Sequence, residues 1–143
     1  DASVSCFLLS GWNAQHEVKR SAEAKIGLIR WQQDRITKLA AADQDVAGKV
    51  VTKAFYLPAR TRGLLVNAAC RVGALVVELQ DVLSQRLLAS ATLRNFDSAD
   101  LPAELQFREN ISWNAILRRE LRLLWRLTGD ATLYAFRFDQ WPA

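Results

Sequence analysis

The stretch from Leu64 to Val77 constrains the fold of this chain more than any other part of its sequence. It reads Leu-Leu-Val-Asn-Ala-Ala-Cys-Arg-Val-Gly-Ala-Leu-Val-Val and is apolar on nearly every face, which is typical of the most enclosed helix of a bundle. A segment so rich in valine also suits a strand, but a strand of that length would be unusual. We therefore predict a central helix over residues 59–91, beginning after Pro58 because proline suits the first turn of a helix.

Three further helices are predicted around this central one. The first spans residues 14–41, where apolar and neutral residues recur at spacings of four and three: Ala22, Ile26, Ile29, Gln33, Ile36 and Ala40. The second spans 45–56, capped by Asp43 or Asp45. The last spans 101–128, capped by Asp100 and stopped by Gly129.

The two ends of the chain have extended character. The arm, residues 1–11, is short and apolar and is stopped by Ser10-Gly11, which favours a strand or an extended arm. In the tail, residues 130–143, three aromatic residues alternate, Tyr134, Phe136 and Phe138; this is a strand pattern, with a short helix as the alternative. The predicted fold is a mainly all-α, four-helix-bundle-like single domain whose terminal segments can pair as strands.

Length and composition fit one soluble domain. The chain has 143 residues, of which 50% are apolar and 24% charged, so it can bury its own core and shows no interdomain linker. Its two cysteines, Cys6 and Cys70, are read as buried or idle thiols, with a single disulfide as the alternative. Because methionine is absent and Asp1 is first, we expect a processed or trimmed start, and the compartment is not predicted. No transmembrane segment is expected.

Residues that would carry catalysis are scarce. The chain has one histidine, His16, and no spacing typical of zinc or di-iron sites. Glycine-rich phosphate loops are also absent from the sequence. We therefore predict a protein that is not an enzyme and has no metal or cofactor.

The most informative feature is a run of arginines in the last predicted helix. The net charge is +4, and Arg118, Arg122 and Arg126 follow one another at intervals of four, with Arg119 beside them. A helical ridge of guanidinium groups suits the phosphates of a nucleic-acid backbone, and Trp125 could stack on a base. The alternative is a solvated face, or pairing with acidic residues of a neighbouring helix or subunit.

Other basic and aromatic residues complete the predicted interaction set. Arg60 and Arg62 lie at the start of the central helix, where the helix dipole favours anions. Arg71, within the apolar run, must find an internal partner or mark an anion-binding groove. Trp31, Trp113 and Trp125 are expected at a protein interface or at the edge of the core.

These features favour an assembly role. The segment Phe7-Leu-Leu-Ser-Gly-Trp12 resembles the start of coat proteins of rod-shaped plant viruses over those few residues, and the chain is similar in size and charge to small helical subunits of CRISPR effector complexes. Neither resemblance assigns a family. We predict a non-enzymatic structural subunit of a larger complex that binds a protein partner or itself and contacts nucleic acid. The alternatives are a ligand-binding or sensory bundle and a secreted effector that binds a protein.

Overall fold

The computed structural model describes residues 4–12, 24–32, 34–98 and 102–140, and these residues form a β-sheet protein. The described part contains a single helix, α1 (Trp113–Ile116), of four residues. Its strands, in chain order, are β1 (Val4–Trp12), β2 (Ala24–Gln32), β3 (Leu39–Ala40), β4 (Gly48–Val51), β5 (Thr61–Cys70), β6 (Gly73–Asp81), β7 (Leu87–Leu93), β8 (Phe96–Asp97), β9 (Ala103–Glu104), β10 (Leu121–Gly129) and β11 (Thr132–Gln140).

The strands form three antiparallel groups. β1 pairs with β2 alone. One larger sheet has the order β4-β10-β6-β7. The other has the order β3-β11-β5-β8, and the short strand β9 also pairs with β5. We call these the four-stranded sheet and the five-stranded sheet.

The two larger sheets pack face to face around one apolar core. Side chains alternate along each strand, so every second residue points into the space between the sheets. Trp125 of β10 is fully buried, and its ring lies 5.3 Å from the ring of Phe136 in β11. The other buried core residues of the central strands share this alternation: Leu64, Val66 and Ala68 of β5, Leu75, Val77 and Leu79 of β6, and Leu121, Leu123 and Leu127 of β10.

The predicted central helix over residues 59–91 is wrong, because this segment forms β5, β6 and β7. The apolar run is divided at Arg71-Val72, and Gly73 follows with a φ of +104°, a conformation that favours glycine. The two resulting strands, β5 and β6, lie in different sheets and are both largely buried, which explains why the run looks apolar on all sides. The valine-rich composition of the run, which suits strands, indicates the observed structure correctly.

The other three predicted helices are also wrong. Helix 14–41 is replaced, in its described part, by β2, a loop and β3, and helix 45–56 by β4 and a loop. Helix 101–128 is replaced by β9, α1 and β10. In β10 the burial of Leu121, Leu123, Trp125 and Leu127 has a period of two, which is that of a strand. The described residues form no helical bundle.

The extended character predicted for the termini is found, but the two segments do not pair with each other. β1 pairs with β2, and β11 pairs with β3 and β5. Cys70 is a buried free thiol, and burial raises its pKa. No helix among the described residues is long and apolar enough to cross a membrane.

Candidate ligand-binding site

The outer face of the five-stranded sheet carries a polar patch where β5 and β11 pair. Asn67 lies opposite Ala135, and Leu65 lies opposite Arg137. These four residues alternate with the core residues on the same two strands, so their side chains share the outer face. Asn67 is only 4% exposed, although a solvent-facing side chain would ordinarily be open to water.

Arg35 covers this patch and explains the burial of Asn67. Its Nε donates to Oδ1 of Asn67 at 3.0 Å, and Nη2 donates to Oδ1 of Asp97 at 2.7 Å. The guanidinium also lies 4.4 Å from the ring centroid of Tyr134, within the range of a cation–π interaction. The hydroxyl of Ser98 is 3.1 Å from Oδ1 of Asn67, which extends the network into the buried side of β8.

A β-bulge places the tyrosine in this network. The register between β11 and β5 shifts between Leu133 and Ala135, so Tyr134 is the extra residue. A bulge of this kind redirects a side chain and is common beside functional sites. Here it brings the ring of Tyr134 under Arg35.

A cavity of about 160 Å³ lies beside the network. Its lining combines apolar and polar groups and comes from four separate parts of the chain: Asp34, Leu65, Asn67, Pro102, Ala135, Phe136 and Arg137. Most of these residues belong to paired strands, and sites on strands are held more rigidly than sites on loops. Leu65, Pro102, Ala135 and Phe136 supply the apolar part of the lining.

Two charged side chains lining this cavity are unpaired. Neither the carboxylate of Asp34 nor the guanidinium of Arg137 forms a hydrogen bond or an ion pair with any residue that the structure describes. Asp34 also has a φ of +60°, which is uncommon for a residue other than glycine and is found at binding sites. The cavity therefore offers an acceptor and a donor that a bound molecule can use together.

A second recess, of about 330 Å³, lies along residues 104–111. Its lining is nearly one continuous loop, so its shape depends on that loop alone. Glu109 in this recess already accepts hydrogen bonds from the backbone N–H of Ser90 at 2.7 Å and from its hydroxyl at 3.3 Å. The smaller cavity is the better candidate, because paired strands supply most of its lining and hold it more rigidly than a loop would.

Comparison with known proteins adds nothing to this geometry. No protein family model matches the chain, and no curated protein or solved structure matches it.

The predicted arginine ridge is not a helix face in the structure. Arg122 and Arg126 lie on β10 and share the outer face of the four-stranded sheet, because an even spacing returns to the same side of a strand. Arg126 donates to Oε1 of Glu78 at 2.7 Å, and Nε of Arg122 donates to Oε1 of Gln80 at 3.0 Å. Contact with nucleic acid stays a prediction, now without the helix that motivated it.

The two arginines before β10 lie in the turn after α1. Arg119 donates to Oδ2 of Asp81 at 3.3 Å, whereas Arg118 has no partner among the described residues. Asp81 also accepts bonds from the backbone N–H and the hydroxyl of Ser84, and these bonds lower its pKa more than Arg119 does. Asp81 thus belongs to the turn between β6 and β7.

The remaining predicted basic residues are dispersed. Arg71 is exposed in the turn between β5 and β6, so it is not the buried cation that we expected. Arg62 pairs with Asp139 of β11, and Arg60 lies just before β5 with a φ of +66°. None of these residues lies in the cavity.

The predicted interaction aromatics also separate. Trp125 is enclosed in the core and cannot stack on a base. Trp113 packs edge-on against Phe107 and Phe138, at centroid distances of 5.9 and 6.4 Å. Trp31 lies in β2, and its side chain is outside the described part of the chain.

The residues that form the cavity were missed at the sequence level. Asn67 did carry a signal, since it is a lone amide within the apolar run. Arg137 carried another, because it alternates with Phe136 and Phe138 in the tail that we read as a strand. Nothing local marks Asp34 or Arg35, which reach the site only through the loop before β3.

Proposed function

We propose that this β-sandwich is a non-catalytic binding module that captures a small, uncharged, polyhydroxylated group, such as one sugar unit of a saccharide, on its five-stranded sheet. The observation that carries this proposal is the unpaired Asp34 and Arg137 on one cavity. A hydroxyl group both donates and accepts, so a polyol can donate to the carboxylate while it accepts from the guanidinium. Leu65 and Ala135 offer an apolar surface for the C–H face of a sugar ring.

The charges support a neutral ligand over an anion. Arg137 would attract an anion, but Asp34 on the same cavity would repel it. The volume of about 160 Å³ is smaller than the pockets of about 300–1,000 Å³ that hold drug-sized molecules. A single ring, or the end of a longer chain, is the largest group expected to enter.

The expected affinity is modest. At about 0.3 kcal/mol per non-hydrogen atom, a ring of about a dozen such atoms gains roughly 4 kcal/mol. This corresponds to a Kd of about 1 mM. Weak binding of this size is best measured by the shifts of backbone amide signals in an NMR titration.

The test is a titration of the protein with neutral monosaccharides and short oligosaccharides. We expect saturable shifts at Asn67, Ala135 and their strand neighbours. Arg137→Ala and Asp34→Asn should each weaken binding at least tenfold, since a hydrogen bond to a charged group contributes about 1.5–3 kcal/mol and about 1.4 kcal/mol is a factor of ten. Arg86→Ala, an exposed arginine in the turn before β7, is the matched control and should bind as the wild type does.

Two results would contradict the proposal. One is shifts that map away from β5 and β11. The other is the absence of saccharide binding together with saturable binding of a free amino acid, because a zwitterion also fits a cavity with one acidic and one basic side chain.

A further inference from the structure

The four-stranded sheet has two edge strands, β7 and β4, and their outer edges differ in whether another described segment bonds to them. At the edge strand β7, the N–H of Ser90 donates to Glu109 at 2.7 Å, and its carbonyl accepts from the N–H of Arg108 at 2.9 Å. The loop after β9 therefore covers this edge. At the opposite edge, β4 pairs only with β10 among the described strands.

The hydrogen-bond pattern shows which groups of β4 face outward. The N–H of Thr52 donates to the carbonyl of Leu123 at 3.0 Å, and Val50 lies opposite Trp125. In an antiparallel pair every second residue bonds to its neighbour. The backbone N–H and C=O groups of Lys49 and Val51 therefore point away from β10 and toward the open edge.

The same residues present exposed side chains on the outer face of the sheet. Lys49, Val51 and Lys53 are all exposed and alternate with the half-buried Val50 and Thr52. Val51 is 45% exposed. Neither lysine forms a hydrogen bond or an ion pair with a described residue, so the edge shows the pattern basic, apolar, basic at every second position.

The neighbouring strand adds positive charge to this edge. Lys49 lies directly opposite Arg126, and like charges in that position destabilise a sheet. Glu78 pairs with Arg126 on the far side, and Lys49 has no such acid. An acidic group at the open edge would relieve this repulsion.

We propose that the β4 edge binds an extended acidic polypeptide segment by strand addition. The segment carries acidic residues four positions apart, with an apolar residue midway between them. Strand addition joins the backbone of the segment to the outward groups of Lys49 and Val51, and the shared repeat of about 3.4 Å per residue keeps its side chains level with the edge. Its acidic residues then meet Lys49 and Lys53, and its apolar residue meets Val51.

A second copy of this chain is a poor occupant of the edge. Antiparallel pairing of two β4 strands about Val51 would place Lys49 of each copy opposite Lys53 of the other, which is unfavourable. Lysine on an edge strand is also a known protection against aggregation, and that role alone would leave the edge empty. A peptide-binding experiment separates binding of an acidic segment from protection against aggregation.

The probe is a short synthetic peptide with Glu, Val and Glu at alternate positions, titrated into the intact protein and followed by fluorescence anisotropy and amide hydrogen exchange. We expect saturable binding that weakens with salt, and slower exchange at the amides of Lys49 and Val51. The Lys49→Glu/Lys53→Glu variant should lose at least tenfold in affinity and should bind a peptide with Lys in place of Glu. Arg71→Glu/Arg86→Glu carries the same change in charge on exposed turns and should bind as the wild type does.

A peptide N-methylated on the amides that face β4 keeps its charge but cannot form the ladder, and it should not bind. The proposal is overturned if the N-methylated or a scrambled acidic peptide binds as well as the probe, if the double lysine variant is unaffected, or if no binding occurs. Unchanged exchange at Lys49 and Val51 during saturation would likewise refute strand addition.

Discussion

Replacing Asn67 by alanine tests whether the polar network under Arg35 holds the site together. Oδ1 of Asn67 accepts from Nε of Arg35 at 3.0 Å and lies 3.1 Å from the hydroxyl of Ser98. The Ser98 hydroxyl is also 3.1 Å from the carbonyl of Ala68, so it keeps an acceptor when the amide is removed. Nε of Arg35 loses this acceptor, and its side chain is only 12% exposed.

The charged hydrogen bond from Arg35 sets the least cost that we expect. Such a bond contributes about 1.5–3 kcal/mol, so we expect Asn67→Ala to lower the free energy of unfolding by about 2 kcal/mol. For a domain of this size, the melting temperature should fall by roughly 6 °C. Asn110→Ala, which removes an exposed amide from the loop before α1, should change stability by less than about 0.5 kcal/mol.

Urea unfolding of four proteins completes the test: the wild type, Asn67→Ala, Arg35→Ala and the double variant. If the two residues act as a unit, the double variant should be less destabilised than the sum of the single variants, by about 1 kcal/mol or more. Additive effects, or an Asn67→Ala variant as stable as the Asn110→Ala control, would refute the reasoning.

Three further predictions concern the framework around the site. Trp125→Ala should lower the free energy of unfolding by about 4 kcal/mol by opening a cavity in the core. Trp125→Phe should cost less than half as much, because the indole N–H that it removes has no hydrogen-bond partner among the described residues. Equal losses in urea unfolding would contradict this. Gly73→Ala should lower the free energy of unfolding by more than about 1 kcal/mol, because Gly73 has a φ of +104° and an added Cβ would collide with the carbonyl of Thr128. An unchanged midpoint of urea unfolding would contradict this. The N–H of Ser90 lowers the pKa of Glu109, so the stability that Glu109 adds is complete above its ordinary pKa of about 4.3 and is lost as the pH falls through the lowered folded-state value. Glu109→Gln should therefore make the melting temperature depend less on pH below pH 5 than it does in the wild type. The same pH dependence in both proteins would count against the hydrogen bond.

The sequence contained the signals for strands, but they were weaker than the apparent helical spacing. In the segment Leu121–Gly129, leucines at intervals of two and three fit both a strand and a helix, and only pairing with β4 and β6 settles the period. The break at Arg71-Val72-Gly73 depends on the positive φ of Gly73, which the amino-acid sequence does not specify. The tail was easier to read, because Phe136 and Phe138 alternate with charged residues.

The candidate site was harder to predict than the fold. Asn67 and Arg137 come together because β5 pairs with β11, about seventy residues further along the chain. Asp34 reaches the cavity from a loop before β3, which no local pattern links to either strand. A cavity assembled from distant segments becomes visible only when the register of the sheet is known.

The position of β10 and β11 has a consequence for synthesis of the protein. β10 lies between β4 and β6, and β11 lies between β3 and β5, so two strands that are made after β3 to β8 complete the middle of both sheets. Until they emerge, β6 lacks its neighbour β10, β5 lacks its neighbour β11, and the apolar core between the sheets is incomplete. Folding of both sheets must therefore wait until residue 140 has left the ribosome, and nascent chains shortened before residue 121 should depend on chaperones to stay in solution.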